Sequence, residues 1–134
     1  MYLLDTNIWL ERLLAQGHSE DVGELLRRVE SQQLFLTDFS FHSICLILAR
    51  LKRLQSLPDF IQDLFIDGGV GLLTVRPEEM ESVIGLMGEF NLDFDDAYQY
   101  FVAERDNLVL VSFDTDFVNT PRGRKTPTEV LERL

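Results

Sequence analysis

Asp5, Asp96 and Asp114 are far apart in a chain of 134 residues, yet each occupies the kind of position that reaches the mouth of an α/β sheet. Asp5 closes the apolar run Tyr2-Leu3-Leu4. Asp114 follows a second run, Leu108 to Val111, with only Ser112 and Phe113 between. Asp96 falls in the first turn of a predicted helix, where Asp93 is a good N-cap and the D-x-x-D string is close to a capping box. Ligands of parallel sheets bind beyond the carboxyl ends of the strands, so the three acids are expected to converge there. Carboxylates gathered at one edge repel one another unless something positive sits among them, and a hard divalent cation is the usual answer. With one cysteine, two histidines and no Cys/His cluster, the donors are oxygens, which favours Mg²⁺ or Mn²⁺ over zinc. Backbone N–H groups at the helix start are expected to lower the pKa of Asp96 and keep it ionised. Such a cation lowers the pKa of water and stabilises a pentacoordinate phosphate, so the pattern points to metal-dependent nuclease chemistry.

Each acid also has a plainer role. Asp5 could cap the helix that follows it, Asp96 could serve only the capping box, and Asp114 and Asp116 could be turn acids. Asp95 reads as a solvated helix-start charge. The delivery of acids from three separate segments to one predicted edge favours function over these roles.

The elements that must position them alternate. Strands are predicted at Tyr2–Leu4, Leu34–Thr37, Gly71–Val75 and Leu108–Ser112, each short, apolar and bounded by polar or turn residues, as in a parallel sheet buried on both faces. Between them lie helical stripes. Ser19 is placed to cap the first, with Val22, Leu25, Leu26 and Val29 on one face. Phe41, Ile44, Cys45, Leu48 and Leu51 make the second, and Phe60, Ile61, Leu64 and Phe65 a third that stops at Gly68-Gly69. Pro77 opens a fourth, burying Met80, Val83, Ile84, Met87 and Phe90. Ala97, Tyr100 and Phe101 continue a fifth. The segment from Asn119 to Pro127 reads as a loop leading to a short last helix. Strands alternating with helices imply right-handed crossovers and an α/β/α layering. Trp9, one turn into the first helix, is expected in the core or against a subunit.

The length suits one domain, residues 1–134, with a substantial core. No apolar stretch approaches the ~20 residues that cross a bilayer, no secretory signal opens the chain, and lone Cys45 reads as a buried small hydrophobe. These features suggest a cytoplasmic protein without a membrane partner. A net charge of −11 argues against broad attraction to nucleic acid. The charge is uneven, however. From Glu89 to Asp116 eight acids face only Arg105, while Arg122, Arg124 and Lys125 form a basic group that could contact RNA phosphates or simply be a solvated loop. Tyr98 and Tyr100 are expected in core or dimer packing rather than stacked on bases.

The string Leu3-Leu4-Asp5-Thr6-Asn7 resembles the first motif of PIN-domain nucleases. Asp96-Ala97, Ala103 and Ser112-Phe113-Asp114 resemble that family's third and fourth acidic motifs, and Asp116-Phe117 extends the match. Within the family the chain looks most like the VapC-type toxins of type II toxin–antitoxin modules. The resemblance implies a three-layer α/β/α fold with a central parallel sheet. It implies a Mg²⁺- or Mn²⁺-dependent endoribonuclease that hydrolyses RNA phosphodiesters, forms homodimers and is neutralised by a cognate antitoxin. Asp5 and Asp96 would be the principal metal ligands, supported by Asp114, with Thr6, Asn7 and Ser112 orienting them. Ser112 stands for the family's common threonine and keeps the hydroxyl.

One departure stands out. The family usually places a glutamate early in the helix after the second strand, and here that position is Ser43. A serine can hydrogen-bond water but supplies no charge. Asp38 is placed to replace it in part, and His42 could bind phosphate or sit on the helix surface. The departure keeps a second reading open, a catalytically degenerate PIN domain that binds RNA or a protein. Other acidic α/β phosphotransfer domains fit poorly: the first motif lacks a second aspartate, and no lysine follows a late strand at the position a receiver-like domain requires.

Overall fold

A computed structural model describes all residues, Met1 to Leu134. Four parallel strands, β1 (Tyr2–Leu4), β2 (Leu34–Thr37), β3 (Gly71–Leu73) and β4 (Val109–Val111), form one sheet in the order β3-β2-β1-β4. The helices are α1 (Thr6–Leu13), α2 (Ser19–Arg28), α3 (Asp38–Arg50), α4 (Leu57–Ile61), α5 (Met80–Phe90), α6 (Phe94–Arg105) and α7 (Pro127–Glu132).

Alternation along the strands divides the core in two, because successive side chains point to opposite faces. Leu4, Leu34, Leu36 and Val111 pack with Trp9, Val22, Leu25, Ile44, Leu48, Phe60 and Val130, from α1, α2, α3, α4 and α7. Leu3 and Leu110 pack on the other face with Val83, Leu86, Ala97, Tyr100 and Val102, from α5 and α6. The result is the expected α/β/α sandwich with a central parallel sheet.

β1 lies in the middle of the sheet, flanked by β2 and β4, with Leu4 in register with Val111. Asp5 and Ser112 therefore leave the sheet side by side, although 107 residues separate them. Lys125 adds one rung outside β4: its N–H donates to the Leu110 carbonyl at 2.8 Å, and the Ser112 N–H donates to its carbonyl at 3.0 Å.

Several local expectations are corrected. β3 ends at Leu73 and β4 spans only Val109–Val111. His18, not Ser19, precedes α2, and no side chain caps that helix; the Ser19 hydroxyl is a partner of Arg12 instead. The third stripe is not one regular helix. Five-residue α4 passes into a π-turn over Gln62–Ile66, closed by the Asp67 N–H on the Gln62 carbonyl at 2.8 Å. Pro77 opens a 3-10 turn, and α5 begins only at Met80. Ile84 and Leu51 face solvent, and Cys45 is only half-buried.

Candidate metal centre

Asp5 is the N-cap of α1 and something more. Its Oδ1 accepts the Thr6 N–H at 2.7 Å and its Oδ2 accepts the Ser112 hydroxyl at 2.7 Å. Ser112 Oγ in turn accepts the Asn7 side-chain amide at 3.3 Å and the Asp114 N–H at 2.9 Å. Asn7 Oδ1 accepts the Phe113 N–H at 3.3 Å. One buried hydroxyl thus ties the end of β1 to the turn after β4. Thr6 orients a different residue: its hydroxyl donates to Ser40 Oγ at 2.9 Å.

Asp114 Oδ1 accepts the Asp116 N–H at 2.8 Å, capping a short 3-10 turn at Thr115–Phe117. Asp96 is the third residue of α6, and its N–H donates to Asp93 Oδ1 at 2.9 Å, the expected capping contact. The Asp96 side chain gains nothing from that cap, and its Oδ2 is buried without any partner. Carboxylate oxygens of Asp96, Asp114 and Asp116 lie within 4.8 Å of one another. Asp5, Asp95, Asp96 and Asp114 line one cleft of about 280 Å³, with Thr6, Asn7 and Ser43 on its polar wall.

None of the molecule's ion pairs involves Asp5, Asp95, Asp96, Asp114 or Asp116. Burial pushes the Asp5 carboxyl up from the usual range, against the lowering effect of Ser112 and the Thr6 N–H. Burial, followed by the charges of Asp114 and Asp93, pushes Asp96 up to about 8. Asp95 is raised by burial and by Asp93. The expectation that helix-start N–H groups keep Asp96 ionised is therefore reversed. The available N–H bonds to Asp93, leaving the Asp96 carboxyl in a dry place among like charges. A buried carboxylate oxygen without a donor, beside further acids without a cation, suits a hard divalent ion. Asp96, Asp114 and Asp116 are spaced to share one, with Asp5 on the same cleft.

The α3 helix brings Ser43 to the cleft wall but contributes no acid there. Asp38 is turned away: its Oδ1 accepts the Tyr98 hydroxyl at 2.7 Å and the Phe39 N–H at 2.8 Å, and its Oδ2 accepts the Thr74 hydroxyl at 2.8 Å. It does not line the cleft. His42 is exposed on α3. Tyr98 and Tyr100 are buried in the core. Arg122 is engaged by Asn107 Oδ1 and the Leu108 carbonyl, and Arg124 by the Asp114 carbonyl and Glu129. Trp9 is a core residue, edge-on to Phe60.

Three residues at the site escape the sequence reading as functional residues. Asp95 is a cleft residue rather than only a helix-start charge. Buried Ser40 receives Thr6 and the side-chain amide of Gln99. Gln99 shares a helix face with Asp96, three residues along, and that spacing is the one signal that could have found it.

The fold, the strand-end acids and the cleft together define a member of a known class. A family model described as the PIN domain matches residues 2–123, and the chain belongs to that family. No curated protein matches it by sequence. Among solved structures it is similar to a toxin–antitoxin complex from Klebsiella pneumoniae, at 20% identity and a TM-score of 0.75, covering 95% of this chain and 98% of that one. It is also similar to FitAcB from Neisseria gonorrhoeae, at 21% identity and a TM-score of 0.73, covering 96% and 99%. A third likeness is to VapC20 of Mycobacterium tuberculosis, described as a Sarcin-Ricin loop cleaving toxin, at 13% identity and a TM-score of 0.76, covering 90% and 95%. At these identities the likenesses establish a shared fold.

Proposed function

We propose that this protein is a metal-dependent endoribonuclease, the VapC-like toxin of a type II toxin–antitoxin module. The carrying observation is the acid cluster with the unpartnered, buried Asp96 Oδ2 and no basic counter-charge. A toxin–antitoxin complex and a Sarcin-Ricin loop cleaving toxin among proteins of the same fold support the reading.

Asp5, Asp96 and Asp114 would hold Mg²⁺ or Mn²⁺, with Asp116 completing the acidic face. When bound, the cation lowers the pKa of water and neutralises charge on the phosphodiester under attack. Ser112 and the Thr6 N–H fix the Asp5 carboxylate, so its oxygens need no reorganisation when the cation arrives. Asn7 steadies Ser112 and the turn that carries Asp114. Arg122, Arg124 and Lys125 would be the groups that contact RNA phosphates. Two of them already bond their own surroundings, Arg122 the Leu108 carbonyl and Arg124 the Asp114 carbonyl. A cognate antitoxin, a homodimer and a cytoplasmic setting complete the proposal.

The test is incubation of the purified protein with RNA and Mn²⁺, beside Asp5→Asn and Asp96→Asn. Cleavage falls to background in both variants; cleavage surviving both would falsify the reading. One observation favours a second reading, a binder without turnover: α3 presents Ser43, and no carboxylate, to the cleft. If the natural chain is inert and Ser43→Glu cleaves RNA, the second reading holds.

A further inference from the structure

Gln99 is a neutral side chain placed where a neutral side chain needs a reason. It is 2% exposed, it lines the acid cleft, and its Oε1 is buried with no hydrogen-bond partner. A buried amide oxygen left unpaired costs on the order of 1–3 kcal/mol. Gln99 also stands one turn beyond Asp96 on α6, so the two side chains share a face, and Asp96 Oδ2 is the molecule's other buried orphan oxygen. The two orphan acceptors belong to one helix face and their residues line one cleft, and each lacks the positive partner that a buried oxygen needs.

The orientation of the amide is set from behind. Ser40, fully buried on α3, receives the Thr6 hydroxyl on its Oγ at 2.9 Å and the Gln99 side-chain nitrogen on the same atom. With the amide nitrogen held there, Oε1 is left as the free end of the group. The chain of bonds from Thr6 through Ser40 to Gln99 starts beside Asp5 and ends beside Asp96. It links the two walls of the cleft by neutral groups that no change of protonation disturbs.

Resting on the metal-site reading, we propose that Gln99 donates its carbonyl oxygen to the coordination shell of the cation and stands in for the acid missing at Ser43. An amide oxygen is a hard donor of the kind Mg²⁺ and Mn²⁺ accept. It brings no further negative charge into a cluster that already lacks a counter-charge. The helix face that supplies Asp96 thus supplies two ligands, while α3 supplies the serine that aims the second. Ser40 and Thr6 are positioning residues; Gln99 touches the ion.

The test is Mn²⁺ binding to the whole chain by isothermal titration, with melting temperature as a second readout, each variant compared with its own metal-free form. Gln99→Met keeps the length of the side chain and removes the oxygen; it is expected to weaken Mn²⁺ binding roughly tenfold or more. Gln99→Glu keeps the shape and adds charge, and is expected to bind Mn²⁺ more tightly than wild type. Ser40→Ala releases the amide and is expected to fall between wild type and Gln99→Met. If Gln99→Met binds as wild type does, or Gln99→Glu binds more weakly, the assignment is overturned while the acid site stands. If the wild type binds no Mn²⁺, both the assignment and the metal-site reading fail together.

Discussion

At the scale of single residues, the consequence lies in the protonation of Asp96. Its carboxyl is raised to about 8 by burial and by Asp114 and Asp93, against an ordinary value of 3.8. Between those limits the folded, metal-free protein keeps a proton that the unfolded chain has lost. Stability must therefore fall as pH rises through this window. Asp5, raised by burial, adds to the slope in the same direction. The lowered carboxyls of Glu79 and Glu129 work the other way only below about pH 4.5, where they lose their charge. In EDTA the protein should melt at a lower temperature near pH 8 than near pH 5. Asp96→Asn should flatten the dependence, and Mn²⁺ should restore the loss at the alkaline end by binding the ionised form. A metal-free melting temperature that climbs between those values would contradict this account. Asp5 and Asp114 were legible in the sequence because each follows an apolar run that ends at a sheet edge. Ser40 and Gln99 were not: Ser40 has no local signature, and the offset of Gln99 from Asp96 does not by itself separate it from an ordinary helix residue. Each is given meaning by the other across 59 residues, a pairing that only the packing of α6 on α3 creates.

Among the elements, α1 carries the first acid motif, and Trp9 fixes the helix to the strand before it. The indole is 1% exposed, meets Phe60 edge-on at 5.7 Å, and donates its Nε1–H to the Leu4 carbonyl at 3.2 Å. Leu4 immediately precedes Asp5. Trp9→Phe removes the hydrogen bond and leaves a buried carbonyl short of a partner, for a loss of about 1–3 kcal/mol in urea unfolding. Trp9→Ala adds a cavity, and the loss rises to about 3–5 kcal/mol. Equal stability for Trp9→Phe and wild type would show that the carbonyl finds another donor. The strands were readable from period and bounding residues, and β2 falls where expected, from Leu34 to Thr37. The helix behind Phe60 was misjudged because apolar spacing does not distinguish an α turn from the π-turn at Gln62–Ile66. Ile84 was misjudged because an apolar stripe can be wider than the face that finally packs.

For the molecule as a whole, charge sets the terms of any encounter with RNA. A chain of net charge −11 has no general attraction for a polyanion, and the cleft adds to the repulsion. RNA binding should therefore be weak in EDTA and strengthen when Mn²⁺ or Mg²⁺ is added, which fluorescence anisotropy with a labelled oligonucleotide would read. With few free cationic side chains near the site, the monovalent salt slope should be shallow, equivalent to about one or two phosphate contacts. Tight, steeply salt-dependent binding in EDTA would instead place the nucleic-acid surface elsewhere. The overall α/β/α arrangement was legible from the alternation of elements. The closing of the β4 edge by Lys125 was not, because a single rung in a loop of prolines, glycine and threonines leaves no periodic trace. The pairing of β1 with β4 also governs when the site can exist during synthesis. Asp5 is made well before its hydroxyl partner Ser112, 107 residues later, and its neighbouring acids follow β3. A growing chain on the ribosome thus carries no finished centre until β4 has emerged and slotted in beside β1, so translation itself works as a delay on whatever the assembled cleft does.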